Sequence, residues 1–371
     1  MRCEQYPDFA AACEAVGRIA HIQPGEKAVI LAERKVEPDV IYGLWAAVQA
    51  RGGQAWACLV ERAHESHVPS VVAGVLGEAD VVFHSWVAAH SPDANRLRRE
   101  KGQRWIAFAD CLTFDRFLSP AVRFPIDLMQ DIIGATWRRI DQGQGSTQIH
   151  ITDPKGTDLW LEMTRSDIDE LAADPRWQGR ITADGPMTRS QIPCPHGPNL
   201  FHVGQQMRNQ TATGVVRYDS IVGFGGSYSG GHGDSTFVAP VSIHLERAQV
   251  VKVEGGWEAD VMRRQLADGQ LAEIGMGFNP QVPAYDGKFT GAAGGGRAGT
   301  LHIATEGAGI EHADGVLHLP TVTVDGRELI RNGRLVALDD PAIVERSREY
   351  LPLGERWLWD AAEDREDRVF R

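Results

Sequence analysis

Short apolar runs alternate with helical segments over the first third of this chain, and that alternation limits its fold more than any other feature. Ala28-Val29-Ile30-Leu31, Gln54–Val60, Asp80–Phe83 and Arg104–Phe108 read as strands. Residues 8–19, 37–51 and 69–77 have helical periodicity, with turns at Pro24-Gly25-Glu26 and Gly52-Gly53. Continuous apolar strands separated by helices indicate βαβ units and a parallel sheet. No Gly-x-Gly-x-x-Gly follows the first strand, so no dinucleotide site is expected there. The loop after the third strand, Trp86-Val87-Ala88-Ala89-His90-Ser91-Pro92, lies where ligands gather in open α/β sheets. His90 could donate a hydrogen bond to a substrate there. It could equally precede a helix capped by Ser91 and opened by Pro92, and the two readings do not exclude each other.

The pattern changes within residues 124–150. Residues 126–141 read as a helix, and strand-like runs dominate afterwards: Thr147–Ile151, Asp158–Glu162, Val215–Asp219, Val241–Leu245 and Gln249–Val253. Gly255-Gly256 then turns into a helix over residues 257–266, and the glycine-rich stretch Gly223–Gly233 reads as a lid or solvated loop in which His232 is exposed. A chain of 371 residues is too long for one simple core and suggests two domains or one elaborated one. A formal charge of −12 argues against nucleic acid, whose phosphates would be repelled. No apolar run approaches the ~20 residues of a membrane helix, and Met1-Arg2-Cys3-Glu4 opens no signal-peptide core. The five cysteines, 3, 13, 58, 111 and 194, form no Cys-x-x-Cys pair, which suits free thiols in a reducing cytoplasm.

Chemistry concentrates between Glu273 and Asp314. The stretch carries Glu273-Ile274-Gly275-Met276-Gly277-Phe278-Asn279-Pro280, then Gly299-Thr300-Leu301-His302-Ile303-Ala304, then His312-Ala313-Asp314. Residues i and i+2 of a strand point the same way, so His312 and Asp314 are expected on one face. That arrangement makes half of a metal site. It also describes ordinary residues at strand ends and loop rims, and spacing alone leaves both readings open.

The order of these segments, with Val253-x-Gly255-Gly256-x-Glu258-Ala259 before them and Gly299-x-x-His302-Ile303-Ala304-x-x-Gly307 among them, resembles the aminopeptidase T group of metalloenzymes. The 2,5-dihydroxypyridine 5,6-dioxygenases share much of the same framework. The resemblance covers nearly the whole chain. It implies an N-terminal parallel-sheet α/β domain, residues 1–140, and a larger β-rich α+β domain, residues 141–371, that holds the metal. It also implies that Glu273, His302, His312 and Asp314 fall on metal-ligand positions.

The two branches part at particular residues. The peptidases place a further Glu where Phe201 stands in Pro195-His196-Gly197-Pro198-Asn199-Leu200-Phe201-His202, and a Tyr where Gly309 stands. Without those groups a second metal lacks its cage, and two metals are what such hydrolases use to clamp attacking and leaving oxygens. The dioxygenase branch is similar in His90-Ser91-Pro92, in the Arg104–Pro120 segment and in His196-Gly197-Pro198. The resemblance implies that His90 and His196 contact a hydroxypyridine and that Arg297 and Thr305 face the substrate. His312 and Asp314 match two of that branch's three iron ligands; the chain departs from it at Glu273, where the third ligand is a His, and at His302, where the branch has an apolar residue.

The chemistry follows from the donor set. Two histidines and a carboxylate around Fe(II) leave positions for a bidentate substrate and O₂. A ring with neighbouring hydroxyl and nitrogen would chelate and lose a proton to His90 or His196, an imidazole titrating near 6.5 when unperturbed. The same ligands around Zn²⁺, Mn²⁺ or Co²⁺ would instead activate water, of pKa ~7 on zinc, for amide hydrolysis. The expectation is a cytoplasmic Fe(II)-dependent extradiol-type dioxygenase for a small hydroxylated N-heteroaromatic, with its oligomeric state open. The alternatives are a metallo-aminopeptidase or amidohydrolase and, last, a metal-stabilised binding protein without turnover. On the first reading His90 and His196 are expected to meet on the open side of the metal.

Overall fold

Strand β1, Lys27–Glu33, is buried at every position after Lys27, as a strand covered on both faces must be. It lies between β2 (Gln54–Val60) and β3 (Val81–His84), and β3 continues to β4 (Arg104–Ala107) and the two-residue β7 (Ser190–Gln191). All four pairings are parallel, in the order β2-β1-β3-β4-β7. Helices α1 (Tyr6–Ile19), α2 (Pro38–Ala50), α3 (Ser70–Gly77) and α4 (Pro92–Lys101) flank and connect the strands. Val29, Leu31, Val82 and Trp105 of the sheet pack with Val72 and Leu76 of α3 and Ala94 and Leu97 of α4. Pro92 does open a helix, and Arg98, Arg99 and Lys101 in its last turn complement the negative end of its dipole. Cys13, Cys58 and Cys111 are free thiols, and burial pushes Cys13 up to about 12.

The computed structural model describes residues 5–60, 70–85, 92–108, 111–184, 190–192, 198–202, 211–222, 235–282 and 296–359. The chain divides into two units, Met1–Ile126 with Arg180–His196 and Asp127–Gly179 with Gly197–Arg371. Residue 140 ends the helix Ile126–Ile140, which belongs to the second unit from Asp127 onward. The first unit is the expected α/β layer structure. The second is the larger, antiparallel β-rich unit. Among the described residues, no helix is long and apolar enough to cross a membrane.

The second unit begins with a hairpin of β5 (Ser146–Thr152) and β6 (Asp158–Thr164), whose alternating burial shows one covered face. Six later strands form a closed ring. They are β9 (Thr213–Val222), β10 (Ser235–Glu246), β11 (Gln249–Glu254), β12 (Gln270–Met276), β13 (Leu301–Gly307) and β14 (Ile310–Leu317). The path β10-β11-β12-β13-β14-β9 closes because β9 also pairs with β10. The short strand β8 (Asn199–His202) adds to β12. From β9 the sheet branches through β6 and β5 to β15 (Thr321–Val324), β16 (Arg327–Arg331) and β17 (Arg334–Leu335). The Gly255-Gly256 turn leads into a helix over Trp257–Gln265. In its first turn the buried Glu258 accepts the Val238 backbone N–H at 2.6 Å through Oε1 and so ties the helix to β10.

Gly214 stands where the branch leaves the ring. It is in register with Leu159 of β6 on one side and Leu245 of β10 on the other. Its φ is +138°, and an added Cβ would lie 2.1 Å from the Asp158 carbonyl oxygen. A side chain there is excluded by both backbone strain and backbone contact. Gly214→Ala is therefore expected to destabilise the second unit by about 2–4 kcal/mol, read as a lower midpoint in calorimetry. An unchanged midpoint would show that the junction relaxes freely.

Candidate functional site

Three neighbouring ring strands bring the expected residues into rows. Glu273 of β12 is in register with Ala304 of β13, and Ala304 with Asp314 of β14. The next row is Gly275, His302 and Val316. Directly opposed residues share a face, so Glu273, His302 and Asp314 lie on one face with only a small residue, Ala304, and a glycine among them. All three are buried. A register shift between Leu271 and Glu273 interrupts β12 just before the carboxylate, and such bulges re-aim a side chain.

Glu273 and His302 are in direct contact. Glu273 Oε1 and His302 Nε2 are hydrogen-bonded at 2.8 Å. Gly275 makes the bond sterically feasible, because the imidazole lies where its side chain would be. An added Cβ at Gly275 would stand 1.9 Å from His302 Cε1. Gly277 performs the same service two residues on, since a Cβ there would meet the Arg297 carbonyl oxygen at 2.0 Å. That oxygen also accepts the Thr300 N–H at 3.0 Å and the Thr300 hydroxyl at 2.7 Å, and Arg297 bridges to Asn279. Arg297 is thus buried and fixed against the end of β12.

The remaining expected residues are placed differently. Thr305 is fully buried in β13, in register with Leu271 and Ala313. It lies an odd number of residues from both His302 and Ala304, so strand alternation puts it on the opposite, apolar face with Ile303. Thr305 does not share the face of Glu273 and His302. His312 belongs to β14, two residues before Asp314, but its side chain lies outside the described residues. His90 and His196 lie outside them altogether. Two further residues join the rows from β8: the register sets His202 opposite Glu273 and Asn199 opposite Gly275, with a shift between Ile274 and Gly275. Glu273 is thus paired with His202, and Phe201 with Ile274. The sequence signal was a histidine within a short apolar run; the pairing that gives it meaning is seventy residues away in the chain.

The donor chemistry of the face suits a cation. Buried carboxylates require pairing or a metal, and two of them share this face with one imidazole. Ligand atoms about 2.1 Å from an octahedral ion lie roughly 3 Å from each other, close to the 2.8 Å between Glu273 Oε1 and His302 Nε2. Among the described residues, no group of three or more His, Cys, Asp or Glu side chains is placed so that it could hold a metal ion. Glu273, His302 and Asp314 are the expected metal-site residues whose side chains are described, and they share one buried face. At Gly309, where the resemblance to the peptidases implies a tyrosine, an added Cβ would stand 2.8 Å from Gln265 Cα, so a side chain there would require the backbone to shift.

The architecture has counterparts of known structure. A 2,5-dihydroxypyridine dioxygenase from Pseudomonas putida superposes with a TM-score of 0.58 at 14% identity, over 89% of this chain and 98% of its own. AmpT from Thermus thermophilus does so with a TM-score of 0.52 at 14% identity, over 89% and 99%. The fold implied by the sequence motifs is the fold these proteins share. No family model matches the sequence, and no curated protein does.

Gly275→Ala tests the geometry. Filling the space under the imidazole should displace His302 and break its bond to Glu273, costing about 1–3 kcal/mol from overpacking alone. The ring resonances of His302 in an NMR spectrum should move while the fold persists. Unmoved resonances in a folded variant would contradict the placement of His302 over Gly275.

Proposed function

We propose that this chain is a mononuclear metalloenzyme, an iron(II)-dependent dioxygenase that opens the ring of a small hydroxylated N-heteroaromatic such as a dihydroxypyridine. The observation that carries the reading is the buried face shared by Glu273, His302 and Asp314, two carboxylates and an imidazole in adjacent rows. The glycine at position 309 removes a ligand that a paired-metal hydrolase would need. The shared fold with a dihydroxypyridine dioxygenase supports the same reading without deciding it.

Bound iron(II) would supply adjacent positions for a chelating ring and O₂. Glu273, His302 and Asp314, with His312, hold the ion on this reading. The Glu273–His302 hydrogen bond fixes the imidazole before loading, so little rearrangement is needed at that edge. Arg297, anchored through its carbonyl and buried, is the candidate to balance the negative charge of a deprotonated ring. His90 and His196 are proposed to take or relay the ring proton, a role that requires a pKa near neutrality. Zinc, manganese or cobalt in the same donors would favour hydrolysis, and the aminopeptidase or amidohydrolase reading stays second. One observation favours it: the hydrogen bond joins Glu273 to His302, the two positions at which the chain resembles the peptidases rather than the dioxygenases.

The expected metal content is one equivalent per chain after anaerobic loading, with most of it lost in Asp314→Ala and in His312→Ala. Full occupancy in both variants would remove them from the ligand set. Oxygen uptake should accompany loss of the aromatic absorbance of a dihydroxypyridine, while aminoacyl arylamides remain uncleaved with any of these metals. Robust arylamide turnover needing two metal equivalents would reverse the order of the two readings. His90→Ala and His196→Ala should keep the metal, with at least one lowering turnover by the ~10²–10⁴ typical of a positioned acid–base group. Unaltered turnover in both would exclude them.

A further inference from the structure

Asn199 is a buried amide at the edge of the candidate site whose acceptor is unused. It is 6% exposed, and its Oδ1 has no hydrogen-bond partner among the described residues. Leaving a buried acceptor unsatisfied costs about 1–3 kcal/mol, and such atoms call for a specific explanation. The register sets Asn199 beside Gly275, which in turn faces His302. Gly275 carries no side chain, and the His302 ring fills that space. The backbone of Asn199 therefore stands about one strand spacing, ~4.8 Å, from that of Gly275, over which the imidazole lies.

Two of the other orphaned acceptors show the contrast. Thr305 Oγ1 is buried on the opposite face of β13, and Glu258 Oε2 belongs to a carboxylate whose other oxygen already holds the Val238 N–H. Asn199 is paired with Gly275, in the row of His302.

We infer that Asn199 is a specificity-determining residue whose Oδ1 accepts a hydrogen bond from a substrate hydroxyl not bound to the metal. The inference rests on the dioxygenase reading and deepens it. A ring chelating through one hydroxyl and its nitrogen leaves its second hydroxyl with a proton to donate. In a buried site that donor needs an acceptor, and the Asn199 oxygen needs a donor. Each satisfies the other. A site built to hydrogen-bond a substrate hydroxyl discriminates strongly against the analogue lacking it, because its own buried group is then left unpaired.

The test is anaerobic titration of the full iron(II)-loaded chain with 2,5-dihydroxypyridine and with 2-hydroxypyridine, which lacks the second hydroxyl. The wild type should prefer the dihydroxy ring by roughly 10- to 100-fold. Asn199→Ala should erase that preference while leaving the affinity for 2-hydroxypyridine and the iron content unchanged. Asn199→Asp, which retains an acceptor, should keep it. Asn199→Leu, of similar volume and without the acceptor, replaces the alanine variant if that one fails to fold. A preference that survives in Asn199→Ala or Leu, or an equal loss for both ligands, overturns the inference and leaves the dioxygenase reading standing. So does a wild type that binds both rings equally. A loaded wild type that binds neither ring overturns the reading and the inference together.

Discussion

An imidazole lying across a glycine is the contact on which this site depends. His302 can reach Glu273 only because the neighbouring strand carries nothing at Gly275. The hydrogen bond, the burial of both groups and the small residues around them are one arrangement. Two carboxylates on a buried face would be unfavourable by themselves, and the imidazole offsets part of that cost. The same absence of a side chain at 275 lets the imidazole lie beside the β8 row. One missing Cβ thus organises both the hydrogen-bonded pair and its surroundings.

The strand register determines what else can take part. Rows of opposed residues deliver Glu273, Ala304 and Asp314 together, and the bulge before Glu273 alters the aim of that carboxylate. The backbone around Arg297 is drawn against the end of β12 by Thr300 and by the glycine at 277. Two anchored segments therefore converge on one strand end, from residues more than twenty apart in sequence. Rigidity of this kind favours a preorganised site over one assembled by loops alone.

Much of the fold was legible in the chain because its signals are local. The run Gln54–Val60 is a strand with those same limits, and the helix beginning at residue 126 ends within one residue of its expected limit. Alternation also carried information that the resemblance did not. His302 and Thr305 are three residues apart, and on a strand that spacing alone separates their faces. Pairing between distant segments was not legible. The pairing of His202 with Glu273 and of Asn199 with Gly275 depends on an irregular register between β8 and β12, and nothing in either segment declares it. Closure of the ring through β9 and β10 is equally invisible, since it is a property of six strands at once.

That closure has a consequence for how this protein can vary. An open sheet tolerates a slipped strand at its edge, because the error ends there. In a ring every member has two partners, so a residue deleted from one strand disturbs both pairings at once unless a bulge, such as the one before Glu273, absorbs it. The alignment of Glu273 with Asp314 runs through Ala304 and is set by the register of three neighbouring strands. Lineages of such a fold would be expected to exchange ligand identities freely at fixed positions, while length changes collect in the connections between strands.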